Sequence, residues 1–582
     1  MTPIHLTPVL VLTSLAHATP QGIAAPTAAQ REARFEALLS GSTLVGKFTI
    51  TGSKKPPQAD RYTLAKVEVI GGTKWRFHAK VEYGERSVTV PIVVDVLWAG
   101  DTPVIQVTDL GVPMLGTYTA RVAFHGEMYA GMWSGKDHGG HMFGRVERAA
   151  KKRRVVQSEA APKDEPGWPS WRGPDGTAIA RSGNPPIQWS ETKNIRWKVP
   201  LPGQGASSPI VWRDRVYVTS AVETDTDGPQ GQRPMRAARG FGGGAPPTKV
   251  YDFVVLAYDR KDGHEVWRKK VVSEVPHEGA HATATHASNS SLTDGSHLYA
   301  FFGSRGLHCL DLEGNVVWSK QLGHMRTSNS FGEGSSPALW GDKLVVNWDH
   351  EGESFIAAFD KRTGAELWRK ARREGTTWAT PLVVEVDGRA QVIVPGSRAS
   401  IGYDLDSGDE VWRCSGLTRN AIPTPLHRDG VAYLMTGFRG SALQAIKLSG
   451  AKGRLDGGPQ VLWQHDRETS YTPTGLVYDD LLYFLRVNNG VLSCLDAKSG
   501  KVWYEGQKLR RIGTVYSSIV GAAGRIYVTS RRAKTSVVKV GKTFEELATN
   551  NLDDTVDATA AIVGDEIFMR GRRKLYCIAE TR

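Results

Sequence analysis

Cysteine is scarce in this sequence, with only 4 among 582 residues. No two cysteines are adjacent or spaced as CxxC, so the sequence offers no c-type haem attachment site and no paired metal-binding thiols. No apolar run reaches the roughly 18 residues that a membrane-spanning helix needs. These absences exclude c-type haem proteins and helical membrane proteins.

The N-terminus lacks the Lys or Arg that normally precedes the apolar stretch of an export signal. It still contains a short apolar stretch, from Val9 to Leu15, and the small-residue sequence Ala16-His17-Ala18, which is typical of a cleavage site. We therefore expect residues 1–25 to be a signal peptide and the protein to be periplasmic or secreted, with the true start codon left open. No cysteine lies near the N-terminus to carry a lipid.

Acidic residues are outnumbered by basic ones, 60 against 73, which gives a formal net charge of +13. Because no nucleic-acid-binding motif accompanies this charge, it indicates an anionic ligand or an acidic protein surface rather than nucleic acid. The sequence also contains 63 glycines and 17 tryptophans. Such a turn-rich and aromatic-rich composition is typical of repeated β-structure.

Residues 28–148 contain short alternating segments separated by glycine-containing turns. Glu32 to Leu39 predicts one short helix at the start of this unit. The strand-like segments that follow are Thr43–Thr51, Tyr62–Ile70, Trp75–Tyr83, Ser87–Leu97, Val104–Thr108, Thr117–Phe124, Met128–Trp133 and Met142–Val146. Eight sequential strands joined by tight turns predict an up-and-down, lipocalin-like barrel, with a β-sandwich as the alternative. The charged, proline-containing residues 149–167 predict a linker.

A short phrase recurs through residues 168–582: an aspartate, a glycine three or four residues later, and then a tryptophan. Successive phrase tryptophans lie 40 to 70 residues apart, which suits four-stranded propeller blades. The copies are Asp259–Gly263–Trp267, Asp311–Gly314–Trp318, Asp360–Gly364–Trp368, Asp404–Gly408–Trp412 and the shortened Asp496–Gly500–Trp503, with Trp197 and Trp463 at the same phase. This period predicts a β-propeller.

The number of blades follows from the first strand of each repeat. Its eight copies are SSPIVW, SSLTDG, SSPALW, ATPLVV, PTPLHR, PTGLVY, SSIVGA and ATAAIV. The last repeat ends after its third strand, and an unassigned strand surrounds Trp197 near the start. We therefore predict eight blades whose ring is closed by that early strand, because closure leaves no unpaired sheet edge.

These repeats resemble the PQQ-type (pyrroloquinoline-quinone-type) propellers, in which the tryptophan of each blade packs against a turn of a neighbouring blade. The resemblance implies a structural docking role for Trp197, Trp267, Trp318, Trp368, Trp412, Trp463 and Trp503. It also implies one of two functions: a dehydrogenase that holds PQQ and calcium on the propeller axis, or a scaffold like the lipoprotein of the outer-membrane barrel assembly machinery.

The adjacent cysteine pair of many PQQ dehydrogenases is missing here. We therefore expect a monomeric, non-enzymatic binding or scaffold propeller of the cell envelope, with no cofactor, no metal and no catalytic residue. A PQQ- and calcium-dependent dehydrogenase is the alternative. An anion- or glycan-binding accessory module is a third possibility.

Arginine recurs in the loop between the second and third strands of six blades, on the face that the loops between blades share. The six are Arg305, Arg398, Arg439, Arg486, Arg531 and Arg570. Guanidinium groups around one funnel would bind carboxylates, sulfates or phosphates. Alternatively, they solvate the loops or pair with neighbouring acids.

Blade three carries Asp349 and His350 in the corresponding loop, and Glu333 lies in the loop before that blade. Such a cluster could bind calcium or supply a general base, or it could form an internal ion-pair network. His277, His281 and His286 are also close in sequence, but their spacing matches no standard zinc site.

Overall fold

The computed structural model describes residues 28–53, 56–83, 86–112, 116–126, 128–148, 167–229 and 243–580. The predicted signal peptide, all but the last residue of the predicted linker, and residues 230–242 lie outside the described residues. The chain divides into two compact units, residues 1–155 and 156–582. No helix among the described residues is long and apolar enough to cross a membrane.

The first unit is a closed barrel of eight antiparallel strands preceded by helix α1 (Ala28–Leu39), which begins four residues earlier than predicted. The strands are β1 (Ser42–Phe48), β2 (Gln58–Gly71), β3 (Lys74–Tyr83), β4 (Arg86–Ala99), β5 (Thr102–Val112), β6 (Gly116–His125), β7 (Met128–Ser134) and β8 (Gly139–Arg148). Strand β1 pairs with both β2 and β8, so the sheet closes on itself. The barrel prediction is confirmed, and the sandwich alternative is wrong.

Helix α1 contributes to the barrel core because two of its apolar residues, Phe35 and Leu39, lie one turn apart on the same face. The ring of Phe35 makes edge contacts with Trp75, Trp98 and Phe124, with centroid distances of 5.6, 5.9 and 5.2 Å. Trp75 is fully buried among these groups. Its indole is therefore part of the core rather than of a ligand cage.

The second unit is an eight-bladed propeller, as predicted, within residues 167–229 and 243–580. Strand β9 (Ile195–Pro200) precedes the first blade. Blades one to four consist of β10 (Ile210–Trp212), β11 (Arg215–Asp227), β12 (Lys249–Asp259), β13 (Glu265–Glu274); β14 (Leu292–Thr293), β15 (His297–Phe301), β16 (Leu307–Asp311), β17 (Val316–Lys320); β18 (Ala338–Trp340), β19 (Lys343–Trp348), β20 (Phe355–Asp360), β21 (Glu366–Ala371); and β22 (Leu382–Val386), β23 (Arg389–Val394), β24 (Ser400–Asp404), β25 (Glu410–Cys414). Short 3₁₀ turns occur at Gly303–Arg305 and Ser328–Ser330.

Blades five to eight repeat this order, with one additional strand, β29 (Gly453–Arg454). They consist of β26 (Leu426–Arg428), β27 (Val431–Thr436), β28 (Ala442–Lys447), β30 (Val461–His465); β31 (Leu476–Tyr478), β32 (Leu481–Leu485), β33 (Val491–Asp496), β34 (Val502–Lys508); β35 (Val520–Ala522), β36 (Arg525–Thr529), β37 (Lys534–Lys539), β38 (Glu546–Asn551); and β39 (Ala561–Val563), β40 (Glu566–Arg570), β41 (Lys574–Ile578). Strand β29 joins blade four, parallel to β25.

Strand β9 closes the propeller by pairing with β41 as the outermost strand of blade eight. Trp197 lies opposite Cys577 in this pairing. The segment around Trp197 therefore supplies the strand that the C-terminal repeat lacks, as predicted. All four cysteines are buried and unpaired.

Five phrase tryptophans donate their indole N–H to a backbone oxygen in the next blade. The pairs are Trp197 to Arg260, Trp267 to Leu312, Trp318 to Lys361, Trp368 to Leu405 and Trp463 to Ala497, at 2.9–3.2 Å. The first pair shows why the phrase needs glycine. Gly263 has a φ of 80°, and a Cβ there would lie 2.6 Å from the Trp197 ring.

Trp412 does not dock on the next blade as predicted. Its indole N–H donates to Gln391 Oε1 of its own blade at 3.0 Å. Blade five carries β29 in the connection where the other blades have the short turn, so no docking turn faces Trp412. The indole N–H of Trp503 is buried without a partner among the described residues, and Lys501 and Lys542 lie over its ring.

Candidate functional site

The strand order of the blades places the loops between blades and the loops between second and third strands on one face of the propeller. A cavity of about 310 Å³ lies among the loops that enter the blades. This volume is at the lower end of the range for small-molecule pockets. The cavity is therefore large enough for a small ligand.

A closed ring of hydroxyl groups surrounds the propeller axis, with one hydroxyl from the start of each blade. Each oxygen accepts a hydrogen bond from the backbone N–H of the equivalent residue in the preceding blade, at 2.9–3.2 Å. In order, the ring residues are Ser208, Ser290, Ser336, Thr380, Thr424, Thr474, Ser518 and Thr559. We call this set the hydroxyl ring, and all of its members except Thr424 and Thr474 line the cavity.

Aromatic side chains form a second part of the cavity wall. They are Trp171, Phe331, Trp378, Tyr471 and Tyr516. The indole N–H of Trp378 is used inside the protein, since it donates to Gly332 O at 2.8 Å. The Trp171 indole N–H has no acceptor among the described residues. The wall thus combines apolar ring surfaces with free hydrogen-bond donors.

Glu333 is one of the two described acidic residues in the cavity wall, and its carboxylate already forms an ion pair. It accepts hydrogen bonds from the backbone N–H and the hydroxyl of Ser304, at 2.5 and 2.7 Å, and from Arg305 Nη1 at 3.1 Å. Arg305 itself is buried and also contacts Glu274 Oε1 at 3.3 Å. Glu333 is therefore part of an internal ion-pair network, which was the alternative to calcium or general-base chemistry.

Asp557 brings the second carboxylate, and two guanidinium groups hold it. Its oxygens lie 2.6 Å from Arg531 Nε and 3.2 Å from Arg572 Nη2. Arg572 also donates to Thr283 O at 3.0 Å, which joins the loops of blades eight and two. Neither carboxylate in the cavity wall therefore lacks a cationic partner.

None of the six predicted arginines lines the cavity, and the structure gives them different environments. Arg305 and Arg531 are paired with acids as described, and Arg486 pairs with Glu468 at 3.1 Å. Arg570 is buried without a carboxylate and donates to Ser207 and Ser220, so burial lowers its pKa to about 9. Only two of the six, Arg398 and Arg439, are exposed with a guanidinium that forms no ion pair among the described residues.

A third exposed arginine, Arg419, which the sequence reasoning missed, lies beside Arg439. Arg419 belongs to the loop that enters blade five and forms an isolated β-bridge with Phe438, the residue before Arg439. The guanidinium of Arg439 lies over the Phe438 ring at 5.4 Å. None of the three guanidinium groups forms an ion pair with a described acid, although the Glu374 carboxylate accepts from the backbone N–H of Arg398 at 3.1 and 3.2 Å. We call these three residues the arginine surface.

Asp349 and His350 do not join Glu333 at the cavity. Asp349 and Arg372 form a fully buried pair with N–O distances of 2.8 and 3.0 Å, and Thr377 donates to the same carboxylate at 2.7 Å. His350 Nδ1 accepts from the backbone N–H of Arg326 at 3.0 Å. Both predicted site residues thus join internal hydrogen-bonding networks.

The only group of possible metal ligands found among the described residues is Asp259, Asp262 and His264. It belongs to the turn of blade one's tryptophan phrase. Asp259 already accepts from the backbone of Lys261, and Asp262 from both the backbone and the ring of His264. These contacts account for the cluster as turn structure.

We expect His286 to make the propeller less stable in acid. Burial, and then the nearby positive charges of Arg305 and His277, lower the pKa of His286 to about 4. The unfolded chain, with a pKa of about 6.5, therefore binds a proton more readily, and stability present above pH 6.5 is lost as the pH falls toward 4. This group should remove about 2 kcal/mol of unfolding free energy between pH 8 and 5.

Urea unfolding of the wild type and H286Q at both pH values measures this contribution. The loss on acidification should shrink by about that amount in the variant. H264Q, which changes an exposed histidine, is the control and should keep the wild-type loss. An unchanged loss in H286Q would contradict the assignment.

The fold and the axial cavity define this protein as an eight-bladed propeller of the PQQ-like repeat class. A family model described as outer membrane protein assembly factor BamB matches residues 147–348 and 352–581. Because the matched residues are more than half of the sequence, the chain belongs to this family. No curated protein sequence matches the chain.

The solved structures that resemble the chain include a BamB protein and alcohol dehydrogenases. BamB from Moraxella catarrhalis aligns at 14% identity with a TM-score of 0.42, covering 63% of this chain and 98% of BamB. A europium-containing methanol dehydrogenase aligns at 12% identity with a TM-score of 0.50, covering 72% and 98%. Quinohemoprotein alcohol dehydrogenase from Comamonas testosteroni aligns at 11% identity with a TM-score of 0.49, covering 73% and 82%. At these identities the likeness concerns the fold alone.

Proposed function

We propose that the protein is a non-enzymatic binding or scaffold component of the cell envelope, whose arginine surface engages an acidic protein surface. The observation that carries this proposal is the position of three exposed arginines, whose guanidinium groups form no described ion pair, on the neighbouring blades four and five. Membership in the outer membrane protein assembly factor family supports an envelope role.

The electrostatics of the arginine surface favour a partner over an internal role. Most other charged groups discussed above already form ion pairs, so they contribute little to the electrostatic field that a partner protein would experience. Arg398, Arg419 and Arg439 instead keep their donors free for bidentate pairing with carboxylates. Arg439 also has a φ of 54°, a backbone conformation that glycine adopts at lower cost. Its side chain is exposed on this turn.

The cavity residues do not fit the cofactor of the alternative dehydrogenase function. PQQ carries three carboxyl groups, and among the described residues the cavity wall contains no Lys or Arg but two carboxylates, Glu333 and Asp557. The guanidinium groups behind the wall are already used by these two acids. A bound trianion would therefore face carboxylates without a free cation, which is unfavourable in a partly buried site. Calcium would have to displace the same arginines.

Binding to fluorescently labelled poly-L-glutamate, measured by anisotropy, tests the arginine surface. The wild type should bind the acidic polymer, more weakly as salt increases. The triple variant R398A/R419A/R439A should bind about tenfold more weakly, because each lost charge contributes up to about 1 kcal/mol. It should also show a shallower salt dependence.

The control is R362A/R428A/K498A, which removes three exposed cations from turns of the opposite propeller face. This variant should bind within about twofold of the wild type, since its charges lie away from the arginine surface. No binding by the wild type, or equal losses in the two triple variants, would overturn the proposal. Cell fractionation of the tagged full chain should recover it with the envelope.

A further inference from the structure

The cavity wall presents hydrogen-bond donors that the protein itself does not use. Six members of the hydroxyl ring line the cavity, and each oxygen accepts from a neighbouring backbone N–H. None of these six hydroxyls donates to an acceptor among the described residues. A Ser or Thr hydroxyl carries one donor besides its acceptor sites. The ring therefore offers six O–H donors from positions that their backbone contacts already fix.

Other polar groups of the wall extend this pattern. The Trp171 indole N–H, the Tyr516 hydroxyl and the Asn488 amide N–H₂ also lack acceptors in the described part of the chain, while Asn488 Oδ1 accepts from Thr472 N at 2.8 Å. Glu333 and Asp557 are paired with arginines, but each carboxylate has lone pairs left to accept further hydrogen bonds. A ligand here meets many donors and a few acceptors.

We propose that the axial cavity binds an uncharged carbohydrate of one or two sugar rings. Sugar hydroxyl and ring oxygens accept hydrogen bonds from the hydroxyl ring, and sugar O–H groups donate to the paired carboxylates. The aromatic wall supplies apolar surface for the C–H faces of a sugar ring. The cavity volume of about 310 Å³ suits a ligand of this size.

The ion pairs around the wall favour an uncharged ligand over an anionic one. Arg305 contacts both Glu333 and Glu274, while Asp557 is held by Arg531 and Arg572. The charges on the two sides therefore compensate each other, and the described residues of the wall leave no cation for an anion. The arginine surface adjoins this site, since Tyr471 of the wall stacks on Phe438 at 4.9 Å. The two share no residue and are tested with different probes and variants, so the two proposals can fail independently.

Titrating the full chain with maltose, cellobiose and N,N′-diacetylchitobiose, followed by tryptophan fluorescence and calorimetry, tests the proposal. At least one disaccharide should bind saturably, with a Kd on the order of 1 mM or tighter. W171A should weaken that binding at least about tenfold, because it removes both a ring surface and a free donor. S336A, which deletes a ring hydroxyl, should weaken it about fivefold.

W503A is the matched control, since Trp503 lies on the third-to-fourth-strand side of blade six and does not line the cavity. It should bind the sugar like the wild type. Thermal unfolding of W171A and S336A separates lost binding from lost folding, because a folded variant keeps a cooperative transition. Sulfate, and PQQ with calcium, are the anionic comparison ligands and should not displace the sugar.

Three results would overturn the proposal. One is the absence of saturable binding of all three disaccharides up to about 20 mM, well above the expected Kd. Another is unchanged sugar affinity in folded W171A and S336A. The third is saturable binding of sulfate or of PQQ with calcium in the same cavity, detected by loss of that signal in W171A. None of these results bears on poly-L-glutamate binding by the arginine surface.

Discussion

Replacing Asp349 by alanine should lower the free energy of unfolding by about 3–5 kcal/mol, because it leaves the buried Arg372 guanidinium without its counter-charge. Both side chains of this pair are fully buried, and two N–H groups of Arg372 bond the carboxylate. Arg372 also donates to Tyr403 OH at 2.9 Å, which extends the network from blade three into blade four. Urea unfolding measured as a shift in midpoint gives the loss.

The exposed pair of Lys498 and Asp480 provides the control for this experiment. Its N–O distance of 3.0 Å is similar, but its side chains are 69% and 52% exposed. D480A should therefore cost less than about 1 kcal/mol. If D349A cost no more than D480A, the buried pair would not hold these two blades together. If D349A lost more poly-L-glutamate binding than its fraction of unfolded protein explains, Asp349 would instead have a direct part in binding.

Replacing Trp197 by alanine should destabilise the propeller by about 3–5 kcal/mol, the range for removing a large buried aromatic side chain. Trp197 is 7% exposed, and its indole donates to Arg260 O at 2.9 Å across the junction of blades eight and one. This junction joins the two ends of the propeller sequence. Weakening it loosens the packing between the last blade and the first. Thermal unfolding should show a markedly lower midpoint.

W503A controls for the loss of a tryptophan at the same position of another blade. The Trp503 indole N–H has no partner among the described residues, and its ring is only partly buried. We expect a smaller cost, about 1–2 kcal/mol. Equal costs for W197A and W503A would mean that the closing junction is no more important than any other. A larger cost for W197A is the expected result, because Trp197 is more buried and its indole is hydrogen-bonded across the closing junction.

The tryptophan phrase predicted the blades because its requirements are local. Asp259 accepts from backbone N–H groups of its own turn, and Gly263 takes a positive φ that most residues avoid. A turn of this kind can be recognised wherever it occurs in the chain. The same logic failed for Trp412, because the turn expected to receive it belongs to blade five, where β29 has replaced it.

The environments of the arginines could not be predicted from the local sequence. Arg398 and Arg570 occupy the same kind of loop in the sequence, yet one is exposed and the other is fully buried against Ser207 and Ser220 of blade one. The repeat of the blade determines which loop each arginine occupies. Whether that arginine is buried or exposed depends on the side chains of the neighbouring blade, and no short sequence pattern contains that information.

The sequence by itself determined the all-β architecture, the count of eight blades and the strand that closes the ring, because strand alternation and turn chemistry act over a few residues and repeat. Only the tertiary structure decided which charges are free. It paired Glu333, Asp349 and Asp557 with arginines from distant loops, and it left Arg398, Arg419 and Arg439 exposed. It also joined eight ordinary serines and threonines into the hydroxyl ring, since each backbone N–H reaches its acceptor only after the blades have closed.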